Sequence, residues 1–251
     1  MQNKDKIFSA FKYTLSIIFL LSVWQFAAII IDHPFLLPSI PDTLKSLLDL
    51  VVTKEFYLST FYTLCRVFFG LLLGSLLGIV LAVSAYKVTI IKILLAPLVS
   101  IMKATPIASI IIVLYILMSG NALSIVIAVL MVFPIVWQNI TDAFKAIPRE
   151  LREVCDVFEF SFSKRLKVLY LPTLLKYFLP AFITAIGFAW KATVSAEIIA
   201  YTQNSIGQYI NDAKYEFDSP KVFAWTLTVT LLSIAFEKIA TCLLRRYKKW
   251  D

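Results

Sequence analysis

Glycine, histidine and cysteine are scarce in this chain. The 251 residues include six glycines, one histidine and three cysteines. No G-x-x-x-x-G-K-[S/T] segment occurs, so the chain has no P-loop for ATP, and it has no nucleophile elbow or metal-ligand spacing. Cys65, Cys155 and Cys242 lie far apart, which predicts free thiols. We therefore expect a protein that is not an enzyme by itself and holds no cofactor or metal.

Charged residues are also few, at 16%, whereas hydrophobic residues make up 60% and the mean hydropathy is +0.83. No soluble domain needs so much apolar surface, so the composition predicts an all-α, polytopic membrane protein. The first apolar stretch, Ile7–Ile31, lacks a small-residue cleavage site and is expected to stay as a span. The aromatic residues suit spans and interfaces, and nucleic acid is not an expected partner.

Hydropathy predicts six membrane spans of about 20 residues each. In chain order they are Tyr13–Ile31, Arg66–Tyr86, Ile93–Met118, Ala122–Ile140, Leu174–Ala200 and Val222–Leu244. A tail over residues 1–12 would precede one transmembrane domain over residues 13–251. Pro97 and Pro106 predict that the third span is bent or broken.

The distribution of Lys and Arg predicts the orientation of these spans. The positive charges expected inside are Lys4, Lys6, Lys12, Lys87, Lys92, Lys145, the cluster in 148–172, Lys176, Lys238, Arg245, Arg246, Lys248 and Lys249. Those expected outside are Lys45, Lys54, Arg66, Lys214 and Lys221. Because cytoplasmic loops carry the excess of positive charge, both termini are predicted to be cytoplasmic.

Half of the glycines form a row in the second span. Gly70, Gly74 and Gly78 are four residues apart, and Ala82 continues the row. A glycine inside a helix costs about 1 kcal/mol relative to alanine in water, so three in register need a reason. A groove of small residues lets another helix pack closely in lipid, and the row is therefore predicted to be a helix-packing surface.

A charged segment from Pro148 to Pro172 interrupts the apolar sequence. As one helix, it would carry an apolar stripe made of Leu151, Cys155, Phe158, Phe162, Leu166 and Leu169. By composition alone, the segment could be an amphipathic linker that rests on the membrane surface.

The spacing within this segment resembles the EAA loop of ATP-binding-cassette importer permeases. Glu153, Val154 and Cys155 align with E-A-A, and Leu171-Pro172 aligns with the L-P that begins eighteen residues after the Glu. Glu159 stands at the family's glycine, which permits a turn between two short helices. Ser161 matches a small residue common in transporters for nitrate, sulfonates and taurine.

Other segments extend the resemblance over nearly the full chain. Thr63-Leu64-Cys65-Arg66 with Gly70 is similar to the T-L-x-R-x-x-x-G signature, and 37–41 approximates L-P-S-P. Trp190 with Ala196-Glu197 resembles a W…A-E pattern, and Gly207 matches the glycine of an outer G-x-x-I-like segment. The resemblance implies a type I importer permease, nearest the nitrate/sulfonate/taurine/thiamine-precursor group.

This resemblance implies partners and a membrane. The chain is expected in the bacterial plasma (inner) membrane. Its expected partners are a second copy of the chain, a pair of ATPase subunits that carry ATP and Mg, and an extracytoplasmic substrate-binding protein. The solute would be small and anionic or heterocyclic. The residues expected to couple to the ATPase are Glu153, Val154, Cys155, Asp156, Phe158, Glu159, Phe160, Ser161, Phe162, Leu171 and Pro172.

Charged side chains within spans are candidates for the translocation path. Lys103, Lys191 and Glu197 each cost about 2.5–3.5 kcal/mol at a helix centre, so they are expected to face protein or water. Lys191 and Glu197 cannot pair along one helix face, whereas Trp190, Thr193 and Glu197 share a face. We expect this face to line or support the path; alternatively, Glu197 is an interfacial carboxylate that reaches the outer surface.

Two other functions stay open on the sequence. A secondary transporter or channel would need ion-coupling or conducting groups of its own and would work without an ATPase. A transmembrane component of an energy-coupling-factor importer would also dock on ATPases, but Ala-Arg-Gly-type coupling motifs are not found in this sequence.

Overall fold

A computed structural model describes residues 2–118 and 120–245, and in this part of the chain all regular structure is helical. Eleven α-helices are present in the described ranges. They are α1 Gln2–Ile31, α2 Ile40–Val51, α3 Lys54–Lys87, α4 Thr89–Ala104, α5 Ile107–Leu117, α6 Asn121–Lys145, α7 Arg149–Val157, α8 Phe162–Arg165, α9 Leu171–Ile199, α10 Ile206–Tyr215 and α11 Ser219–Arg245. The all-α, polytopic prediction is therefore confirmed.

Five described stretches are long and apolar enough to cross a membrane, and the number is six if a bent pair, α4 with α5, crosses as one span. The bend of 106° lies at Thr105 and Pro106, as the prolines predicted. Thr105 adopts an extended conformation because the proline ring disfavours helical geometry in the preceding residue. Pro97 stays inside α4, so only the second proline ends a helix.

The predicted span boundaries differ most from the structure in α3. This helix begins at Lys54, twelve residues before the predicted start at Arg66, so Arg66 lies within a helix and not at its beginning. The preceding stretch holds the short helix α2. At the chain ends, residues 2–12 continue as the first part of α1, whereas Arg246, Lys248 and Lys249 lie outside the described residues.

The chain divides into two compact units, and one comprises Met1–Tyr57 with Tyr209–Thr230. In this unit α1 holds the start of α2, since Trp24 Nε1 donates to the Pro38 carbonyl at 3.1 Å. The Gln25 side-chain oxygen accepts from the Ile40 amide at 3.0 Å. Ser39 caps α2 by accepting from the Asp42 amide. The L-P-S-P-like segment is thus a helix start.

The same unit is packed around Trp225, which is buried. Its ring stacks on Phe56 and Tyr209, with centroid separations of 5.4 Å and 5.3 Å. Burial raises the pKa of the Tyr209 hydroxyl, and the carboxylates of Glu55 and Asp212 raise it further. These aromatic contacts join the parts of α3, α10 and α11 that lie in this unit.

The other unit comprises Leu58–Gln208 with Leu231–Asp251. Its centre is α6, which packs along α9. The glycine row of α3 lies against the opposite side of α6: a Cβ atom on Gly70, Gly74 or Gly78 would come within 2.3–2.8 Å of a Cβ atom of Ala128, Val132 or Val136, respectively. These distances are shorter than any carbon–carbon contact allows, so the backbones can approach this closely only because glycine has no side chain.

Candidate functional site

The charged segment folds as two short helices joined by a tight turn. Helix α7 ends at Val157, and Glu159 adopts φ +47°, the left-handed conformation that favours glycine. The Phe160 amide donates to the Cys155 carbonyl at 3.0 Å, and the Glu159 amide donates to the Asp156 carbonyl at 3.0 Å. These two bonds define a Schellman motif. Glu159 therefore occupies the position where the family has glycine, with the backbone that glycine would provide.

Arg165 fastens this turn. Its Nε donates to the Phe160 carbonyl at 2.8 Å and its Nη2 donates to the Cys155 carbonyl at 3.2 Å, while Nη1 pairs with the Asp156 carboxylate. The guanidinium of Arg165, at the end of α8, thus holds the last turn of α7 and the turn that follows it. Sequence reasoning counted Arg165 only among the positive charges of the segment and missed this role.

Ser161 and Pro172 have defined structural roles. The Ser161 side chain accepts from the Lys164 amide and caps α8. After α8, Leu166–Tyr170 form a wider π-helical turn that leads into α9. Pro172 has no amide to donate to the carbonyl four residues earlier, and its ring crowds that carbonyl, so a wider turn here relieves the clash.

The expected single apolar stripe along this segment is wrong, because the turn at Glu159 interrupts the helix. Cys155 and Leu169 are buried. The other members of the stripe are exposed, namely Leu151, Phe158, Phe162 and Leu166. Two valines of α7, Val154 and Val157, are exposed as well. Val157 is 79% exposed and Phe158 is 68% exposed. The segment thus presents an uncovered apolar surface, which we call the loop surface.

Polar residues border the loop surface. Glu153 forms an exposed pair with Arg149 at 2.8 Å. On the other side of α7, Arg152 Nη2 donates to the Phe144 carbonyl at 2.8 Å and to the Ile147 carbonyl at 3.3 Å. Arg152 therefore attaches α7 to the end of α6.

A buried ion pair lies elsewhere in the same unit. Arg66 Nη1 donates to Glu197 Oε1 at 2.8 Å, and the two side chains are 5% and 0% exposed. Arg66 also donates to Asn121 Oδ1 at 2.6 Å and to the carbonyls of Gln203 and Asn204 at 3.1 Å and 3.4 Å. Buried charges persist only when paired and fully hydrogen-bonded, and Arg66 meets this condition.

Glu197 is equally satisfied. Thr63 Oγ1 donates to this carboxylate at 3.0–3.1 Å and accepts from the Ile206 amide at 3.1 Å. The Gly207 amide donates to Glu197 Oε2 at 3.4 Å, and a Cβ atom on Gly207 would lie 2.4 Å from the Glu197 Cβ. The T-L-x-R motif, the A-E dipeptide and the outer glycine therefore meet at one place, which we call the ion-pair cluster.

A cavity of about 480 Å³ adjoins the ion-pair cluster. Three tyrosines, the guanidinium of Arg66 and several backbone groups surround it; the lining residues are Tyr62, Arg66, Tyr115, Gly120, Asn121, Ala200, Tyr201, Thr202, Gln203 and Asn204. Its walls combine aromatic faces with polar groups.

The other candidates for the path lie in different places. Trp190 and Thr193 are buried on the face they share with Glu197. Lys103 and Lys191 are exposed and take no part in the ion-pair cluster. Glu197 is fully buried, so it is not the interfacial carboxylate of the alternative interpretation. Sequence reasoning placed Arg66 outside the membrane and missed it as the partner of Glu197, although both belong to recognised motifs.

Known proteins resemble this chain over most of its length. A protein of Bacillus subtilis (strain 168), provisionally named an aliphatic sulfonates transport permease protein, SsuC, is 23% identical over 234 residues, which are 92% of this chain and 84% of the relative. The formylaminopyrimidine transport permease protein ThiX of Halalkalibacterium halodurans is 25% identical over 248 residues, 96% of this chain and 98% of the relative. The bicarbonate transport system permease protein CmpB of Synechococcus elongatus is 29% identical over 162 residues, 64% of this chain and 58% of the relative.

The family described as binding-protein-dependent transport system inner membrane component matches residues 74–249, well over half of the chain. This range includes the loop surface, the bent pair of helices and Glu197. It begins after Arg66, so the two halves of the ion pair lie on either side of its boundary. The chain belongs to this family, and it is a multi-pass inner-membrane permease of a type I ATP-binding-cassette importer.

Proposed function

We propose that this chain forms the translocation path of an ATP-driven importer and that its loop surface docks on a separate ATPase subunit. Family membership supports the role as a permease. The observation that carries the docking proposal is the exposure of Val157 and Phe158 on a segment fastened internally by Arg165. Apolar side chains on a fixed backbone suit insertion into a partner's cleft, because little conformational entropy is lost on binding.

ATP hydrolysis and transport would be coupled through α7. When ATP draws two ATPase subunits together, a docked α7 moves with its ATPase. Arg152 joins α7 to the carbonyl end of α6, and α6 packs along α9. Movement of α7 would thereby shift the helices that carry Glu197 and the cavity beside it. ATP and Mg would be held by the ATPase pair, and two copies of this chain would face each other across the path.

The solute path would include the cavity beside the ion-pair cluster. Tyr62, Tyr115 and Tyr201 offer aromatic faces, and Asn121 offers an amide. Glu197 and Trp190 would support these walls from behind because both are buried. The charge of Arg66 is neutralised by Glu197, so the cavity would hold a small solute that carries polar and planar groups.

The solutes in the names of the relatives support a class of solute for this chain. The names of the relatives refer to aliphatic sulfonates, formylaminopyrimidine and bicarbonate. A small anion or a heterocycle suits both these names and the aromatic and polar walls of the cavity. A substrate-binding protein on the outer side would deliver the solute.

Reconstitution of the permease with its ATPase and binding protein in liposomes tests this proposal. Phe158→Asp should weaken binding of the ATPase by about 30-fold, as expected for loss of a central apolar contact, and should abolish ATP-dependent uptake. Glu153→Ala should lower uptake at unchanged membrane insertion. Val52→Asp is the matched control, because Val52 is an exposed valine outside the loop surface.

Two results would contradict the proposal. Uptake by the permease alone in liposomes without ATP would indicate a secondary transporter or channel. Unchanged ATPase binding and uptake in Phe158→Asp would show that the loop surface is not the docking site.

A further inference from the structure

A second cavity, of about 280 Å³, is lined by basic side chains and by no acidic one. It lies between α3, α4, α6 and α7, and its lining residues are Ala82, Ala85, Tyr86, Thr89, Lys92, Thr141, Phe144, Lys145 and Arg152. Three of these carry positive charge. Asp142 is the neighbouring acidic group and pairs with Lys145 at 2.7 Å, so Lys92 and Arg152 supply the charge left over.

Two polar atoms that belong to lining residues of this cavity have no hydrogen-bond partner among the described residues. They are Thr141 Oγ1 and Arg152 Nε, and both are buried atoms. Buried polar atoms are normally satisfied, and a buried guanidinium nitrogen is costly to leave unpaired. The other side of the same guanidinium is occupied, since Arg152 Nη2 donates to the Phe144 carbonyl. The guanidinium thus has donor capacity left for an acceptor that a ligand brings into the cavity.

We propose that this cavity binds a phosphate group, supplied by an anionic phospholipid of the cytoplasmic leaflet. A guanidinium, an ammonium and a hydroxyl are the donors that phosphate oxygens accept, and Arg suits phosphate geometry through its fork of N–H groups. The volume is below that of sites for drug-sized ligands and suits a headgroup. Basic pockets between transmembrane helices on the cytoplasmic side are a known means of binding anionic headgroups.

The surroundings of Lys92 favour a lipid as the source of the phosphate. Ile90, Ile93 and Leu94 flank Lys92 on α4, and all three are exposed. Acyl chains attached to a phosphate in the cavity would lie against this apolar part of α4. The cytoplasmic placement rests on the predicted orientation of the spans, in which Lys87, Lys92 and Lys145 face inward.

Binding also affects the proposed coupling path, because Arg152 belongs to α7. A phosphate that accepts from Arg152 Nε would hold the guanidinium between the lipid and the end of α6. The lipid would thereby reinforce the attachment of α7 to α6. This consequence depends on the proposed function, whereas the lipid site itself does not.

Lipid binding by the full-length permease can be measured in nanodiscs of phosphatidylcholine, with or without phosphatidylglycerol, by counting lipids retained in native mass spectrometry. We expect retention of phosphatidylglycerol by the unaltered chain. Lys92→Gln and Arg152→Gln should each weaken it by about fivefold, the effect of one charge at an anionic surface. Thr141→Val removes the unpaired hydroxyl and should cause a smaller loss.

The control variant is Lys191→Gln, which removes an exposed lysine of another span. It should retain phosphatidylglycerol as the unaltered chain does. Lys92 is exposed, so Lys92→Gln provides a test even where loss of Arg152 disturbs folding. Competition by inorganic phosphate tests which group is bound: displacement of retained phosphatidylglycerol would support a site for the phosphate of its headgroup. Binding of inorganic phosphate with no preference for phosphatidylglycerol over phosphatidylcholine would assign the site to a soluble anion and overturn the lipid as the source. Equal retention in Lys92→Gln, Arg152→Gln and Lys191→Gln would overturn the proposal, and it would leave the transport function untouched.

Discussion

Arg66 in α3 and Glu197 in α9 form a buried ion pair at 2.8 Å, although 131 positions separate them in the chain. Both are held by further hydrogen bonds, from Thr63 to Glu197 and from Arg66 to Asn121. A buried pair of this kind gives little net stability over an apolar pair, but removal of one partner leaves an uncompensated charge. The pair therefore fixes how α3 and α9 are arranged within their unit.

The first prediction concerns this pair. Arg66→Met or Glu197→Met should each destabilise the permease by about 3–5 kcal/mol, because the remaining charge is buried without its partner. The double variant should recover most of the loss. Thermal unfolding in detergent measures all three, and Lys191→Met provides a control from the same helix as Glu197. Additive losses in the double variant would contradict a direct interaction.

A second prediction concerns the glycine row. Gly74→Ala places a Cβ atom 2.7 Å from the Val132 Cβ, so α3 and α6 must separate, at a cost of about 1–3 kcal/mol. Val132→Ala in the same chain should restore part of this loss. Gly187→Ala is the matched control, because a Cβ atom there meets nothing within 4 Å. Equal melting temperatures for Gly74→Ala and Gly187→Ala would refute the close approach of the two helices.

A third prediction concerns the turn of the loop surface. Glu159→Gly should stabilise the turn by about 1 kcal/mol, since glycine adopts a positive φ without the cost that a side chain incurs. Glu159→Val should weaken it, because a branched Cβ is strained at this backbone geometry. The change in stability of the turn can be measured by hydrogen exchange of two backbone amides. These are the amide of residue 159, which donates to the Asp156 carbonyl, and that of Phe160, which donates to the Cys155 carbonyl. About fivefold slower exchange is expected for glycine, and no difference between the two variants would contradict a left-handed Glu159.

A fourth prediction concerns Arg165. Arg165→Gln removes the bonds to Phe160 and Cys155 carbonyls and should loosen the turn by about 1 kcal/mol, given the partial exposure of the guanidinium. If the proposed function holds, more ATP is hydrolysed for each solute molecule taken up. The control is Arg149→Gln, because the pair of Arg149 with Glu153 is exposed and contributes little. If Arg165→Gln and Arg149→Gln hydrolyse the same amount of ATP for each solute molecule taken up, Arg165 does not hold the turn in the way proposed.

Local features of the fold were predictable from the sequence because they depend on neighbouring residues. Pro106 ends a helix by its own geometry, so the break in the third span needed no tertiary information. The row of Gly70, Gly74 and Gly78 predicted a packing surface through its spacing alone. Its partner helix was not predictable, because the row indicates a close approach and not which helix makes it.

The ion-pair cluster and the turn were harder to predict. Arg66 looked like a charge at a membrane surface, and only the adjacency of α3 and α9 brings it to Glu197. Periodicity also extended the helix of the charged segment through Glu159, since an apolar stripe continues past it. The resemblance to the family pointed the other way, because the family has a glycine at this position and glycine permits a turn. The residue present here, Glu159, disfavours the backbone of that turn.

The distance along the chain between Arg66 and Glu197 has a consequence for how the protein is made. At about 5–20 residues per second, a ribosome needs roughly 7–26 s to synthesise the 131 positions that separate them. Throughout that interval the newly synthesised α3 holds an arginine whose partner carboxylate has not yet been translated. An unpaired charge is expensive in lipid, so α3 would stay beside the insertion machinery until α9 emerges, and the two segments would enter the bilayer together.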